Sequence, residues 1–327
     1  MKRTWAGLLM TALMVSGPSW GAEKYEKLPK GLGNDGSDTL NSVGSDTLNN
    51  LMTYWAEEFQ KIYPNVKVQV EGKGSSTAPA ALISGVAQLG PMSRAMKNKE
   101  KESFEKKYGF GPTRFAVAVD SLAVYVHKDN PIAKTGLTLK QVDAIFSKSR
   151  SGGGKKNITT WGQLGLKGEW ANMPISLYGR NSASGTYGYF KKKALFKGDF
   201  KDNVKEQPGS ASVVNGVGGD LGGIGYSGIG YKTSDVVAVP LSKKDGQPKA
   251  EASFANSLSG RYPLGRSLYV YLVKNPTKEM PELTREFMKF VLSKKGQEIV
   301  VKDGYGELPD SMIEKQLKML GKGKEEV

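Results

Sequence analysis

Apolar residues recur at helical spacing through one early stretch of the chain: Leu48, Leu51, Met52, Trp55, Phe59 and Ile62 stand at offsets 0, 3, 4, 7, 11 and 14. That stripe predicts a helix buried along one face. Pro64 and Asn65 end it, and Val66, Val68 and Val70 then alternate with polar residues as a strand does. Gly72, Gly74, Ser75, Ser76 and Thr77 follow, and Pro79 lies near the start of a second helix carrying Leu82, Ile83 and Val86. Strand, small polar turn and helix thus occur twice within about fifty residues. The alternation predicts an α/β fold with a mainly parallel sheet.

The pattern continues. Phe115 to Val126 is apolar and β-branched, which predicts a buried strand. Leu139 to Phe146 reads as a helix behind Thr138 as its cap, and Gly152-Gly153-Gly154 as a loop. Ile175 to Tyr178 is a short strand running into Gly179-Arg180-Asn181-Ser182-Ala183-Ser184-Gly185-Thr186, with a helix from near Tyr187 to before Gly198. Leu268 to Val273 predicts another strand, and Glu282 to Val301 one long helix holding Phe287, Phe290, Val291 and Ile299.

The extreme N-terminus breaks from this pattern. Lys2 and Arg3 precede an apolar run of about 11 residues from Trp5 to Val15, then Ser16, Gly17, Pro18, Ser19 and Gly21. That order is expected of a secretory signal, cleaved after Gly21 or Ala22. The run is too short for a bilayer, which needs roughly 20 apolar residues. The chain has no cysteine, so neither disulfides nor a lipid on an N-terminal Cys is available. A freely diffusing periplasmic protein of a two-membrane bacterium is the expectation, with export beyond the cell open. Residues 23–38, polar and rich in Gly and Lys, are expected to form a flexible arm.

Charge narrows the partners. Lys and Arg number 47 against 32 Asp and Glu; without Lys2 and Arg3 the balance is 45 − 32 = +13. Such a surplus favours anions. An export signal and the lack of any RNP, zinc-finger or basic-zipper pattern argue against nucleic acid. Lys155-Lys156 and Lys191-Lys192-Lys193 read as solvated faces.

Three segments share one character: Gly44-Ser45-Asp46-Thr47, Gly74-Ser75-Ser76-Thr77 and Ser184-Gly185-Thr186 each follow a strand and open a helix. Helix starts present free N–H groups and partial positive charge. Hydroxyls add donors, and glycine lets the backbone come close. Each alone is an ordinary cap; three together, with Arg180 before Ser184, read as an anion cradle.

Gly179 to Thr186 resembles the Arg-x-x-x-Ser-Gly-Thr loop of periplasmic phosphate-binding proteins that serve ATP-driven phosphate importers. Ser45-Asp46-Thr47, Gly72 to Thr77, Leu89-Gly90-Pro91-Met92-Ser93-Arg94, Gly223-Ile224-Gly225-Tyr226 and Tyr262-Pro263-Leu264 are similar to that family's other landmarks, in order. The resemblance implies a two-lobed, type II-like periplasmic binding fold, each lobe a mainly parallel sheet flanked by helices. Lobe 1 would hold residues 39–122 and 262–327, and lobe 2 residues 123–261. It implies inorganic phosphate bound between the lobes, a membrane permease as partner, no cofactor, a monomer and no catalysis. Arg180, Ser184, Gly185 and Thr186 would line one wall, and Ser45, Thr47 and Ser75 the other, with Ser93 close by.

One departure stands out. The best-known members carry a carboxylate where this chain has Ser93-Arg94. Near neutral pH phosphate retains a proton and needs an acceptor, while sulfate has none and a carboxylate repels it. Asp46 and Asp120 are the candidates for that role; Asp46 could instead cap a helix, and Asp120 could bond to a hinge. Arg94 would add charge or pair with an acid.

Other motifs lack parts. Gly223-Ile224-Gly225-Tyr226-Ser227-Gly228 fits G-x-G-x-x-G without a long helix behind it. His127 is the sole histidine, so zinc and Ser–His–Asp arrangements are incomplete. A secreted phosphatase-like enzyme on the same cradle, or an adhesive extracellular protein, remain the alternatives.

Overall fold

A computed structural model describes residues 23–33 and 38–321. The predicted signal lies outside the described residues. The chain first forms β1 (Thr39–Val43), α1 (Asn49–Ile62), β2 (Lys67–Glu71), α2 (Thr77–Ser84), β3 (Gly90–Met92), α3 (Asn98–Tyr108) and β4 (Thr113–Ser121). It continues through β5 (Ala123–His127), α4 (Ile132–Thr135), β6 (Leu137–Thr138), α5 (Leu139–Phe146), β7 (Ser176–Arg180) and α6 (Gly185–Lys193). Then come β8 (Lys205–Gln207), α7 (Ser210–Gly218), β9 (Gly223–Ser227), β10 (Val236–Ala238), β11 (Leu241–Ser242) and α8 (Phe254–Leu258). Finally β12 (Gly265–Leu272) leads into α9 (Glu282–Leu292), α10 (Lys294–Lys302) and α11 (Asp310–Leu320).

The two lobes have separate cores. In one, Leu48, Leu51, Met52, Trp55 and Phe59 of α1 pack with Val117 of β4, Val270 of β12 and Phe287, Phe290 and Val291 of α9. In the other, Leu122, Val124 and Val126 pack with Phe146, Trp161, Phe190, Tyr226 and Tyr262. The segments that join the two cores touch: Leu122 N donates to Leu264 O at 3.1 Å, and Tyr262 Oη to Leu122 O at 2.8 Å.

Four expectations change. The sheets are mixed rather than mainly parallel. β1 pairs β2 in parallel and β7 pairs β8 and β9 in parallel, while β12 is antiparallel to β3 and β4, and β5 to β9 and β10. The antiparallel pairs involve the strands next to the joining segments, where β4 leads out of one core and β12 leads back in. The run from Phe115 to Val126 is accordingly two strands, broken at Leu122.

The expected single helix from Glu282 to Val301 is α9 and α10 with a corner at Ser293. Ser293 is extended and its hydroxyl accepts from Gly296 N at 3.2 Å, capping α10. At Gly296 a β-carbon would collide with the Phe290 and Val291 carbonyls, so the corner needs glycine. Residues 23–33, expected as part of a flexible arm, are tethered to lobe 1. Lys294 N donates to Glu23 O at 3.1 Å, and Tyr25 Oη bonds Tyr63 Oη at 2.8 Å and Glu286 Oε2 at 3.1 Å.

Candidate functional site

All three predicted loops meet at the line between the lobes. Gly44 follows β1 under Pro91, whose carbonyl oxygen leaves no room for a β-carbon. Ser45 N donates to that same Pro91 O at 2.8 Å, which ties the first loop to β3. Gly74 N donates to Gly44 O at 2.7 Å, tying the second loop to the first. Gly74 has φ +110°, a conformation available to glycine without strain. These bonds place Ser45, Thr47, Ser75 and Ser93 on one wall, all buried.

The opposite wall is β7 and the start of α6. The Ser184 hydroxyl accepts from Thr186 N at 3.1 Å and from Tyr187 N at 3.4 Å, so it caps α6. Gly185 lies against the first wall: a β-carbon there would sit 2.6 Å from Ser93 Oγ and 2.8 Å from Ser75 Cβ, and in collision with Ser75 Oγ.

Five residue pairs hold the walls together. Ser76 N donates to Ala183 O at 3.1 Å, and the Thr47 and Thr186 hydroxyls are 2.8 Å apart. Arg180 Nη1 is 2.9 Å from Asp46 Oδ2, which also accepts from Ser210 N at 2.8 Å and Ser210 Oγ at 2.7 Å. Tyr231 Oη donates to the Asp46 carbonyl at 2.8 Å. The cleft is therefore closed, with the hydroxyls inside.

Arg180 is 2 % exposed, and burial depresses its pKa, with Asp46 opposing that shift. Nη1 also donates to Ser210 Oγ at 2.7 Å and Nη2 to Pro208 O at 3.1 Å. Nε is buried with no partner among the described residues. An unpaired buried donor is costly, and this one belongs to the cation of the cleft.

The predicted carboxylates differ. Asp46 does not cap its helix; it latches lobe 1 to Arg180 and Ser210 through Oδ2. Its side chain keeps 20 % exposure, and its contacts to Arg180 and Ser210 all run through Oδ2. Asp120 is fully buried with both oxygens engaged. Oδ1 accepts from Ile229 N at 3.1 Å, and Oδ2 lies 2.8 Å from Arg266 Nε and 2.7 Å from Arg266 Nη2. Arg94 goes to an acid: Nη1 and Nη2 reach the two Glu100 oxygens at 2.8 and 2.6 Å, and Nη2 also donates to Ser76 Oγ. Burial pushes the Glu100 carboxyl up, but the Arg94 and Lys97 hydrogen bonds outweigh it and hold the pKa below its usual range.

Sequence reasoning missed Arg266, Ser210 and Tyr231. Arg266 sits opposite Asp120 in the β12–β4 register, a pairing that no local motif announces. Ser210 follows Pro208-Gly209 at the start of α7, a helix opening of the kind already used three times as a signal. Among the described residues no group of three or more His, Cys, Asp or Glu side chains is placed to hold a metal ion.

Comparison with known proteins bears on this geometry. A profile of the PBP superfamily domain matches residues 32–295. The chain is 56 % identical to the phosphate-binding protein PstS of Pseudomonas aeruginosa, over 98 % of this chain and 99 % of that one. It is 30 % identical to protein SphX of Synechococcus elongatus over 78 % of this chain and 73 % of that one. Among solved structures, a phosphate-bound substrate-binding protein from Clostridium perfringens, ascribed to a phosphate ABC transporter, superposes with a TM-score of 0.70 at 28 % identity. That match covers 83 % of this chain and all of the other.

Proposed function

The chain belongs to the phosphate-binding proteins of the PBP superfamily, and on that premise we propose that it captures inorganic phosphate between its lobes and delivers it to the membrane permease of an ATP-driven importer. The carrying observation is the convergence of three helix-opening loops on Arg180, which keeps a buried Nε donor without a partner. The PstS relative and the Clostridium perfringens structure are described as binding proteins, which leaves the phosphatase-like and adhesive readings without support. The chain acts as a receptor and not a catalyst. It works in the periplasm after removal of residues 1–22, with lobe 1 formed by residues 39–122 and 262–327 and lobe 2 by residues 123–261.

Phosphate lies between the two walls, taking donors from Ser45, Thr47, Ser75, Ser93, Gly185, Thr186 and Arg180. Ser184 serves by holding the N–H groups of α6 in place. Of the two carboxylates, Asp46 is the better acceptor for the phosphate proton, because Asp120 has both oxygens committed. Arg94, neutralised by Glu100, stays at the edge.

Calorimetric titration with phosphate and with sulfate near neutral pH tests this. Phosphate binding with no sulfate heat, abolished in Arg180→Ala, is expected. Equal affinity for both anions would remove Asp46 as the discriminating acceptor, and no heat from either would overturn the receptor.

A further inference from the structure

Arg266 is a buried arginine that none of the motifs pointed to. It lies on β12, just after the chain re-enters its lobe, paired across the sheet with Asp120. Nε donates to Asp120 Oδ2 at 2.8 Å, Nη1 to the Ser93 carbonyl at 3.0 Å, and Nη2 to Thr186 Oγ1 at 3.0 Å. The Tyr189 ring centroid lies 5.2 Å from the guanidinium carbon, and Tyr189 Oη donates to Gly265 O at 2.6 Å. Asp120 and Ser93 therefore hold the guanidinium from one lobe, and Thr186 and Tyr189 from the other.

We infer that Arg266 is a positioning residue that makes the Thr47–Thr186 hydroxyl pair a donor toward the bound oxyanion. The inference rests on the phosphate reading above. Two hydroxyls that share one hydrogen bond always leave one proton over. What Arg266 adds is that it fills a Thr186 lone pair that could otherwise turn toward the ligand, and it polarises the pair. Thr186 Oγ1 accepts from Arg266 and is 2.8 Å from Thr47 Oγ1. If Thr186 donates to Thr47, the Thr47 proton is left for the ligand. If Thr47 donates to Thr186, both Thr186 lone pairs are filled and the Thr186 proton is left. Either way one hydroxyl proton remains, in a chain polarised by a buried cation. Asp120 balances the charge of Arg266, so the hydroxyl pair gains a cationic donor without an unpaired charge being buried in the cleft. The Nη1 bond to Ser93 O fixes the opposite wall from the same side chain.

The test uses calorimetric titration of inorganic phosphate into the full chain and into Arg266→Gln, Arg266→Lys, Thr186→Val and the double variant Arg266→Gln/Thr186→Val. Arg266→Gln should weaken phosphate about tenfold, the size expected for losing a charge-assisted bond in the site. Arg266→Lys should recover only part of that, because an ammonium cannot fork to Asp120 and Thr186 together. In the Thr186→Val background the same Arg266→Gln change should cost less than about threefold, the signature of two groups acting as one. Arg266→Gln leaves Asp120 buried and unpaired, so Asp120→Asn/Arg266→Gln is compared as a variant that keeps the packing, and it should lose as much affinity as Arg266→Gln. Equal losses from Arg266→Gln in both Thr186 backgrounds, or unchanged affinity in the variants, would overturn the inference while leaving the receptor intact. A parent chain that binds no phosphate would overturn the receptor reading and this inference with it.

Discussion

Gly185 shows how little space a closed cleft leaves. A methyl group there would press on Ser75 and Ser93, which face it from the other lobe. Gly185→Ala should therefore weaken phosphate binding at least about tenfold, corresponding to the 1–3 kcal/mol typical of overpacking. Thermal melting without phosphate should change little, because the clash arises only on closure; an equal drop in melting temperature with and without phosphate would point to local misfolding instead. Asp46 invites a different substitution. Asp46→Asn keeps an oxygen acceptor but loses the charge that repels sulfate and pairs with Arg180. Phosphate affinity should fall and sulfate heat should appear in a competition titration; a variant still blind to sulfate would shift the discriminating role elsewhere. Among the site residues, the hydroxyls and Arg180 were legible because they sit in short motifs at helix starts. Arg266 was not, because its partner Asp120 is 146 positions away and only strand register joins them.

Elements locked by a single side chain are the next scale. α1 rests on Trp55, fully buried, whose Nε1 donates to Gly296 O at 2.9 Å across to α10. Trp55→Ala should cost about 3–5 kcal/mol in denaturant unfolding, the usual range for deleting a buried aromatic. A loss below about 1 kcal/mol would mean that α1 is held by its other contacts. The stripe that predicted α1 was strong because its apolar face is long and uninterrupted. The split of the last predicted helix at Ser293 was hidden for the converse reason: the periodicity of Phe287, Phe290, Val291 and Ile299 survives the corner. What breaks the helix is Ser293 capping the next one, and that choice depends on packing around Gly296.

At the scale of the whole molecule, the seam beside the cleft carries a pH-sensitive group. Gly304 lies against Gly230, bringing the turn after α10 to the one after β9. Asp303 is half-buried at that seam, and burial pushes its carboxyl from 3.8 up to about 7. Tyr231 and Tyr305 face the same region; burial raises both phenols, and the Asp303 charge adds to it. Between those two pH values the folded state holds a proton that the unfolded chain has released. Stability should therefore fall as pH rises from about 4 to 7 and level off above, by on the order of 1 kcal/mol once solvent screening is allowed for. Asp303→Asn should flatten that slope in melts run across the window; a slope unchanged in the variant would place its origin elsewhere.

The order of elements, the three anion-ready loops, Arg180 and the family they resemble all follow from local sequence: periodicity, caps and glycine act over a few residues, where chemistry and spacing coincide. The tertiary structure alone decided that the sheets are mixed, that residues 23–33 pack against a lobe, and that Asp46 is an interlobe latch rather than a cap. It also decided which arginine Asp120 holds. Each of these depends on strand register or on the approach of segments far apart in the chain, and short-range pattern carries no record of either.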